Sequence, residues 1–239
     1  MKKILITAGG TSEKIDNVRK ITNSSSGKLG MMIANQLLAI NDEVKIYYIC
    51  PKNALKPSSK QIKIIEIEGT ENLKNTIENI LRTEKIDYFI HSMAVSDYTT
   101  NYITTIEKIK TKIETTKNIE EAFSNIEPIK ANKISSNEDN LVIVLKKTPK
   151  IISMIKQISP KTYLIGFKLL DDVPKKELIE VAKKLRDKNN CDLVVANDLS
   201  TIRKGKHIAY IIDKNNNVEK ALSKEEIVKK LVRRIINER

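Results

Sequence analysis

The sequence predicts an α/β fold: a Rossmann-like, mostly parallel sheet with helices on both faces and a polar lid or arm inserted into it. Three observations carry this prediction. Short apolar runs alternate with amphipathic helical stretches along nearly the whole chain, the pattern of strands covered on both faces. The first run ends in Gly9-Gly10, and glycines at such an edge permit close backbone approach. No internal repeat or long linker divides the 239 residues, so a single domain spanning 1–239 is expected, with a core that needs no metal or disulfide staples.

Residues 3–8 read as a buried strand, and residues 28–39, KLGMMIANQLLA, carry an apolar helical face after a glycine-containing turn. Strands near 43–49 and 62–67, a helix near 70–82 and a strand near 87–91 continue the alternation. Residues 99–131 differ, being polar, rich in Thr, Lys, Glu and Asn, and weakly periodic. So long a segment without a strong element marks a lid or arm insertion. Order returns with a strand at 141–145, a helix at 149–157 opened by Thr148-Pro149, a strand at 162–167 and a helix at 174–188 entered through Pro174. DLVVAND, a strand at 207–212, the turn KNNN and a helix from Ser223 to Asn237 complete the order. Ser223 followed by Glu226 forms a capping box.

Composition narrows the function. The four-residue apolar run near Met1 is followed by glycines, and no stretch approaches the roughly 20 apolar residues that cross a bilayer. A cytoplasmic protein without membrane partners is expected. Cys50, Cys191, His91 and His207 show no metal-ligand spacing, and both cysteines read as buried or inert. The net charge of +13 is spread along every helix and tail, and aromatic residues are few. That suits anionic metabolites and gives no base-stacking platform, so no nucleic-acid partner is expected.

Candidate chemistry clusters where strands end. Gly10 follows the first strand, but neither GxGxxG nor GxxxxGK[ST] is present. Asn23-Ser24-Ser25-Ser26-Gly27 precedes a helix whose amides would face a bound phosphate; a plain serine-capped helix is the alternative. Ala94 and Asp97 follow the strand that ends at His91, with Asp97 placed for a base, a ribose hydroxyl or magnesium. Lys133 closes the polar insertion, with Lys108 as its rival, and either is placed to neutralise a phosphoryl group on closure. Phe167 offers an apolar face to a base, Lys184 and Lys188 share one helix face, and Asn197-Asp198 ends another strand.

AGGTSEKID, ITNSSSGKLG, HSMAVSDY, KISS with KKTPKII, LIGFKLL and DLVVANDLS, in this order, resemble phosphopantothenate-cysteine ligase in its stand-alone bacterial form. The resemblance implies CTP-dependent, Mg2+-assisted ligation of 4'-phosphopantothenate to L-cysteine through an acyl-cytidylate, forming 4'-phosphopantothenoylcysteine in coenzyme A biosynthesis. It also implies a homodimer and a separate phosphopantothenoylcysteine decarboxylase. By the same resemblance Asn23 handles the acyl intermediate, and Ser24, Ser25, Ser26 and Gly27 hold phosphopantothenate. Gly10, Ala94, Asp97, Phe167, Lys184 and Lys188 then lie on the nucleotide side, and Lys133 is the lid lysine by its spacing to Thr148-Pro149. Magnesium ligands are unassigned. The family's phenylalanine- and aspartate-rich turn after ANDLS is replaced here by TIRKGKHIAY, so its contacts do not transfer. An NAD(P)-dependent reductase, a nucleotide sensor and a nucleic-acid binder are the competing classes. The reductase lacks both the glycine fingerprint and a suitably placed Tyr-x-x-x-Lys pair.

Overall fold

A computed structural model describes residues 1–41 and 43–237. The N-terminal part runs β1 (Lys2–Thr7), β2 (Ser12–Lys14), β3 (Lys20–Thr22), α1 (Lys28–Ile40), β4 (Val44–Pro51), β5 (Ile62–Ile67), α2 (Thr70–Thr83) and β6 (Tyr88–His91). Next come β7 (Tyr98–Thr105), α3 (Ile106–Thr116), α4 (Ile119–Ser124) and β8 (Leu141–Lys147). The chain continues through α5 (Ile151–Ile158), β9 (Tyr163–Leu170), α6 (Lys175–Asn189), β10 (Leu193–Asp198), α7 (Leu199–Arg203), β11 (Ala209–Asp213), β12 (Val218–Ala221) and α8 (Lys224–Asn237).

The main sheet has the order β12-β11-β10-β9-β6-β1-β4-β5. Its pairings are parallel from β5 through to β10, and β11 and β12 are antiparallel additions. Alternation along the strands explains the layering, because successive side chains leave a strand on opposite faces. Ile4 and Ile6 of β1 point toward α1 and α8, where they meet Ile33, Leu37, Leu231 and Ile235. Leu5 points the other way, into the layer of α2, α5 and α6 with Leu73, Ile77, Ile155 and Leu178. Each such side chain contributes about 1.5–3 kcal/mol on burial, which is how strands with almost no polar face are held. The fold is the expected Rossmann-like, mostly parallel α/β sheet with helices on both faces. No helix among the described residues is long and apolar enough to cross a membrane.

The chain leaves β1 for β4 on one side and returns to β6 on the other. The crevice beyond the carboxyl ends of these strands is where open α/β sheets take ligands.

Three local features differ from the expectations. Residues 99–131 are ordered into most of β7 together with α3 and α4, and β7 pairs antiparallel with β8 in a two-stranded arm outside the main sheet. One of the threonines and one of the asparagines that made this segment look irregular serve as caps. The Thr105 side chain accepts from Lys108 N, and the Asn118 side chain accepts from Glu121 N. The strand expected at 141–145 therefore belongs to the arm. The hairpin β2–β3 was unforeseen, its strands being only three residues each, too short for alternation to register.

Candidate functional site

A cleft of about 600 Å³ opens at the carboxyl edge of the sheet. Its walls come from Asn23–Gly30, His91–Asp97, Pro149–Ile152, Phe167–Leu169 and the region of Asn197 to His207, with Lys224 at the start of α8.

The first wall is built by β3 and the start of α1. Asn23 N donates to Thr11 O at 3.1 Å, which ties the loop to the end of β1. Gly27 sits at φ 74 as the residue before α1 and supplies no side-chain cap, while Ser26 Oγ accepts a long bond from Lys28 N at 3.4 Å. A side chain here would be strained by the positive φ and would also meet Gly9 N at 3.1 Å. The exposed serines and the amides of the first turn of α1, of which only that of Lys28 meets a side chain, line the cleft as hydrogen-bond donors, the arrangement that suits an anion.

The second wall follows β6. His91 Nδ1 lies 2.8 Å from Thr7 Oγ1, buried between strands, and burial lowers its pKa to about 4. It is a neutral ring, bonded to Thr7, at neutral pH. Thr11 N donates to Ala94 O and Ala94 N to Gly9 O, at 3.1 and 2.8 Å, stitching Gly9–Thr11 to the segment after β6. The hydroxyl of Thr11 accepts from Ser96 N at 2.8 Å, and Thr148 N donates to Asp97 O at 3.0 Å. Asp97 itself is exposed and pairs with Lys150 at 2.5 Å.

Of the expected site residues, Asn23, Ser24, Ser25, Ser26, Gly27, Ala94, Asp97 and Phe167 line this one cleft. Gly10 lies just behind it, bridged to Ala94. Lys184 and Lys188 do not line it: both are exposed on α6, where only Leu185 turns inward to the cleft. Lys133 is exposed on the segment after α4, and its neighbour Ile134 is tied to Asp16 and Arg19. Asp198 is occupied as the cap of α7, accepting from Ser200 N and Asp172 N at 2.9 Å. Sequence reasoning missed Lys150, Lys168, His207 and Lys224. Lys150 stands inside the KKTPKII motif, whereas nothing local distinguishes His207 or Lys224 from the chain's many other polar residues.

Cys50 and Cys191 are buried away from the cleft, and burial pushes their thiols up to about 11 and about 12. Among the described residues no group of three or more His, Cys, Asp or Glu is placed to hold a metal.

Comparison with known proteins places these features in a family. Residues 1–125 and 122–238 match the model of the DNA/pantothenate metabolism flavoprotein C-terminal domain. The crystal structure of the DNA/pantothenate metabolism flavoprotein from Streptococcus pneumoniae is 41% identical, with a TM-score of 0.87 and 100% of both chains covered. The coenzyme A biosynthesis bifunctional protein CoaBC of Thermococcus kodakarensis is 35% identical over 83% of this chain and 41% of its own length. A cysteine/cysteine sulfinic acid decarboxylase from an unknown prokaryotic organism is 29% identical over 98% of this chain and 58% of its own length. The chain thus spans about half the length of these two curated relatives.

These matches correct the expected identity. The family is described as a pantothenate-metabolism flavoprotein, and a relative as a decarboxylase. The flavoprotein description of the family and of its crystal structure, with the decarboxylase among the relatives, stands against a stand-alone CTP-dependent cysteine ligase, so the CTP-dependent ligation, its Mg2+ and its L-cysteine and CTP partners are withdrawn. The separate decarboxylase partner is withdrawn as well, because decarboxylation appears in a relative of this very chain. The homodimer rested on the same resemblance and goes with it.

A flavin stands in the family's description, and the cleft provides a test of it. Lys28, Lys150, Lys168 and Lys224 line the cleft beside a single phenyl ring, Phe167. These residues suit a compact phosphorylated anion better than a large tricyclic ring.

Proposed function

Because this chain belongs to the DNA/pantothenate metabolism flavoprotein C-terminal domain family, we propose that it is an enzyme domain of coenzyme A biosynthesis whose cleft binds a phosphorylated pantothenate–cysteine compound. The observation that carries this reading is the start of α1 behind Asn23–Gly27, opening into the same cleft as Ala94, Asp97 and Phe167.

In this reading the phosphate sits on the serine hydroxyls and the amides at the start of α1, where helix-terminal N–H groups and Lys28 favour negative charge. The Asn23 amide hydrogen-bonds the acyl end of the ligand, as both donor and acceptor without a change of charge. Phe167, with Met93 and Ile152, covers the apolar part. Residues 99–131 form an arm on the same unit, its base at Tyr98 beside Asp97. The role carries with it the cytoplasmic location expected from the sequence.

Calorimetry with 4'-phosphopantothenate, 4'-phosphopantothenoylcysteine and unphosphorylated pantothenate tests the reading. Both phosphorylated compounds are expected to bind and pantothenate to bind at least about tenfold more weakly, the loss of a charge-assisted contact. A folded chain that binds neither phosphorylated compound overturns the reading. Carbon dioxide release from 4'-phosphopantothenoylcysteine, measured with and without added flavin mononucleotide, then tests whether this chain decarboxylates that compound. Release only with flavin would give this chain that reaction, and no release would leave the chemistry elsewhere in the longer relatives.

A further inference from the structure

His207 lies in the segment TIRKGKHIAY, which has no assigned role. Its loop is tied down on both sides. Before it, Gly205 N donates to Ile202 O at 3.0 Å and Lys206 N to Thr201 O at 2.9 Å, with Gly205 at φ 75 turning the chain back. After it, the buried side chain of Asn197 donates through Nδ2 to Ile208 O at 2.9 Å. Asn197 is itself anchored in β10, where it opens the pairing with Ala209 of β11. The main sheet therefore holds this loop so that the half-buried imidazole lines the same cleft as Ser26, Lys28 and Lys224.

We propose that His207 is a ligand-contacting residue which, with Lys28 and Lys224, forms the corner that receives the ligand's phosphate, and that it takes up a proton from solvent as the phosphate binds. The proposal rests on the reading of the cleft as a phosphate site and names a residue and a proton that reading does not include.

The surroundings explain the direction. The charges of Lys224 and Glu225, at the start of α8, both act on the imidazole, and Lys224 lines the cleft with it. Lys28 of α1 lies near Glu225, and Lys168, Lys150 and Asp97 line the rest of the cleft. Lys206 neighbours it in the chain. Burial first, and then the Lys224 charge, hold the imidazole below its usual range, with Glu225 opposing. An arriving phosphate dianion reverses that balance, since a nearby opposite charge favours the protonated ring.

The chain has only two histidines, so imidazole NMR follows each one directly in the intact protein. His91, with its pKa near 4, stays silent above about pH 5.5, and any titration there belongs to His207. Sulfate, whose charge is constant in this range, and 4'-phosphopantothenate are the probes. Either probe is expected to raise the His207 midpoint by about one pH unit. By linkage, sulfate then binds about tenfold more tightly below the midpoint than above it. His207→Gln is expected to retain binding and lose this pH dependence.

A midpoint that does not move while the amides of Ser24–Lys28 respond overturns the role of His207 and leaves the phosphate loop intact. A midpoint that moves while those amides stay still supports the His207 corner and removes the loop from the reading. If neither responds, both are wrong. A response to 4'-phosphopantothenate but not to sulfate would show that the corner recognises the ester and not any oxyanion.

Discussion

The carbonyl oxygen of Asn23 occupies the space that a side chain on Gly10 would need: a Cβ built there lies 1.9 Å away from it. The glycine edge of β1 and the asparagine after β3 are therefore one packed unit, closed also by the bond from Asn23 N to Thr11 O. Gly10→Ala must push the Asn23 loop outward. The expected cost is about 1–3 kcal/mol in urea unfolding, the usual penalty of overpacking, with ligand affinity reduced about tenfold or more. Unchanged affinity in a destabilised variant would separate Asn23 from ligand binding.

The buried pair His91 and Thr7 gives a signature in the pH dependence of stability. The folded pKa of His91 is about 4, against an ordinary 6.5. Above pH 6.5 the ring is neutral in both folded and unfolded chains. As pH falls below 6.5 the unfolded chain gains a proton that the folded chain refuses, so stability declines until pH 4 and levels off for this group. The shift corresponds to about 3 kcal/mol across that window. Unfolding midpoints measured between pH 7 and pH 4 are expected to show the slope in the native chain and a much shallower one in His91→Gln.

The fold was legible in the sequence because the central strands of its main sheet are mostly apolar and buried and its helices have clear apolar stripes. Ile4 and Ile6 against one helical layer, with Leu5 against the other, leave few alternatives to a doubly covered sheet. Much of the candidate cleft was legible too, since Asn23–Gly27, Ala94 and Asp97 follow strands and line one cleft with Phe167 of β9. The lysines were not. In a chain with 43 Lys and Arg, sequence spacing does not separate Lys184 on a solvated helix face from Lys224 at the cleft; only the packing of α8 against α1 makes that distinction. His207 was hidden for a different reason: its placement depends on Asn197, whose side chain reaches back from a neighbouring strand.

The Asp97–Lys150 pair illustrates a contact that is close without contributing much to stability. Its atoms are 2.5 Å apart, yet both side chains are about two-thirds exposed, at 66% and 64%, and water screens such pairs. Lys150→Ala is expected to change unfolding free energy by less than about 0.5 kcal/mol. Affinity for 4'-phosphopantothenate should nevertheless fall, because a cleft cation is gone, and the fall should shrink as salt is raised. Equal affinity at low salt would place Lys150 outside the ligand's reach.

Asp16 clasps the far end of the arm. Its Oδ1 accepts from Val18 N and Arg19 N at 2.8 and 2.7 Å, and its Oδ2 accepts from Arg19 and from Ile134 N, the latter at 3.1 Å. Arg19 in turn donates to Ile134 O at 2.9 Å, and Asn17 N to Asn132 O at 3.0 Å. The segment carrying Lys133 is thus held against the β2–β3 turn, and β3 leads straight into Asn23. The Arg19 guanidinium, followed by backbone donors, holds the Asp16 carboxyl well below the usual carboxylate range. A depressed carboxylate supplies stability that is full above its unfolded pKa near 4 and is lost only as pH falls through the lower folded value, so the clasp stays closed throughout the neutral range. Asp16→Ala is expected to speed amide hydrogen exchange at residues 17–19 and 132–135 by at least about tenfold while β1 and β10 keep their protection. If the clasp also positions the cleft, exchange at Asn23–Ser26 rises with it and affinity for 4'-phosphopantothenate drops. Faster exchange confined to the arm, with affinity unchanged, would make Asp16 a local fastening with no reach into the site.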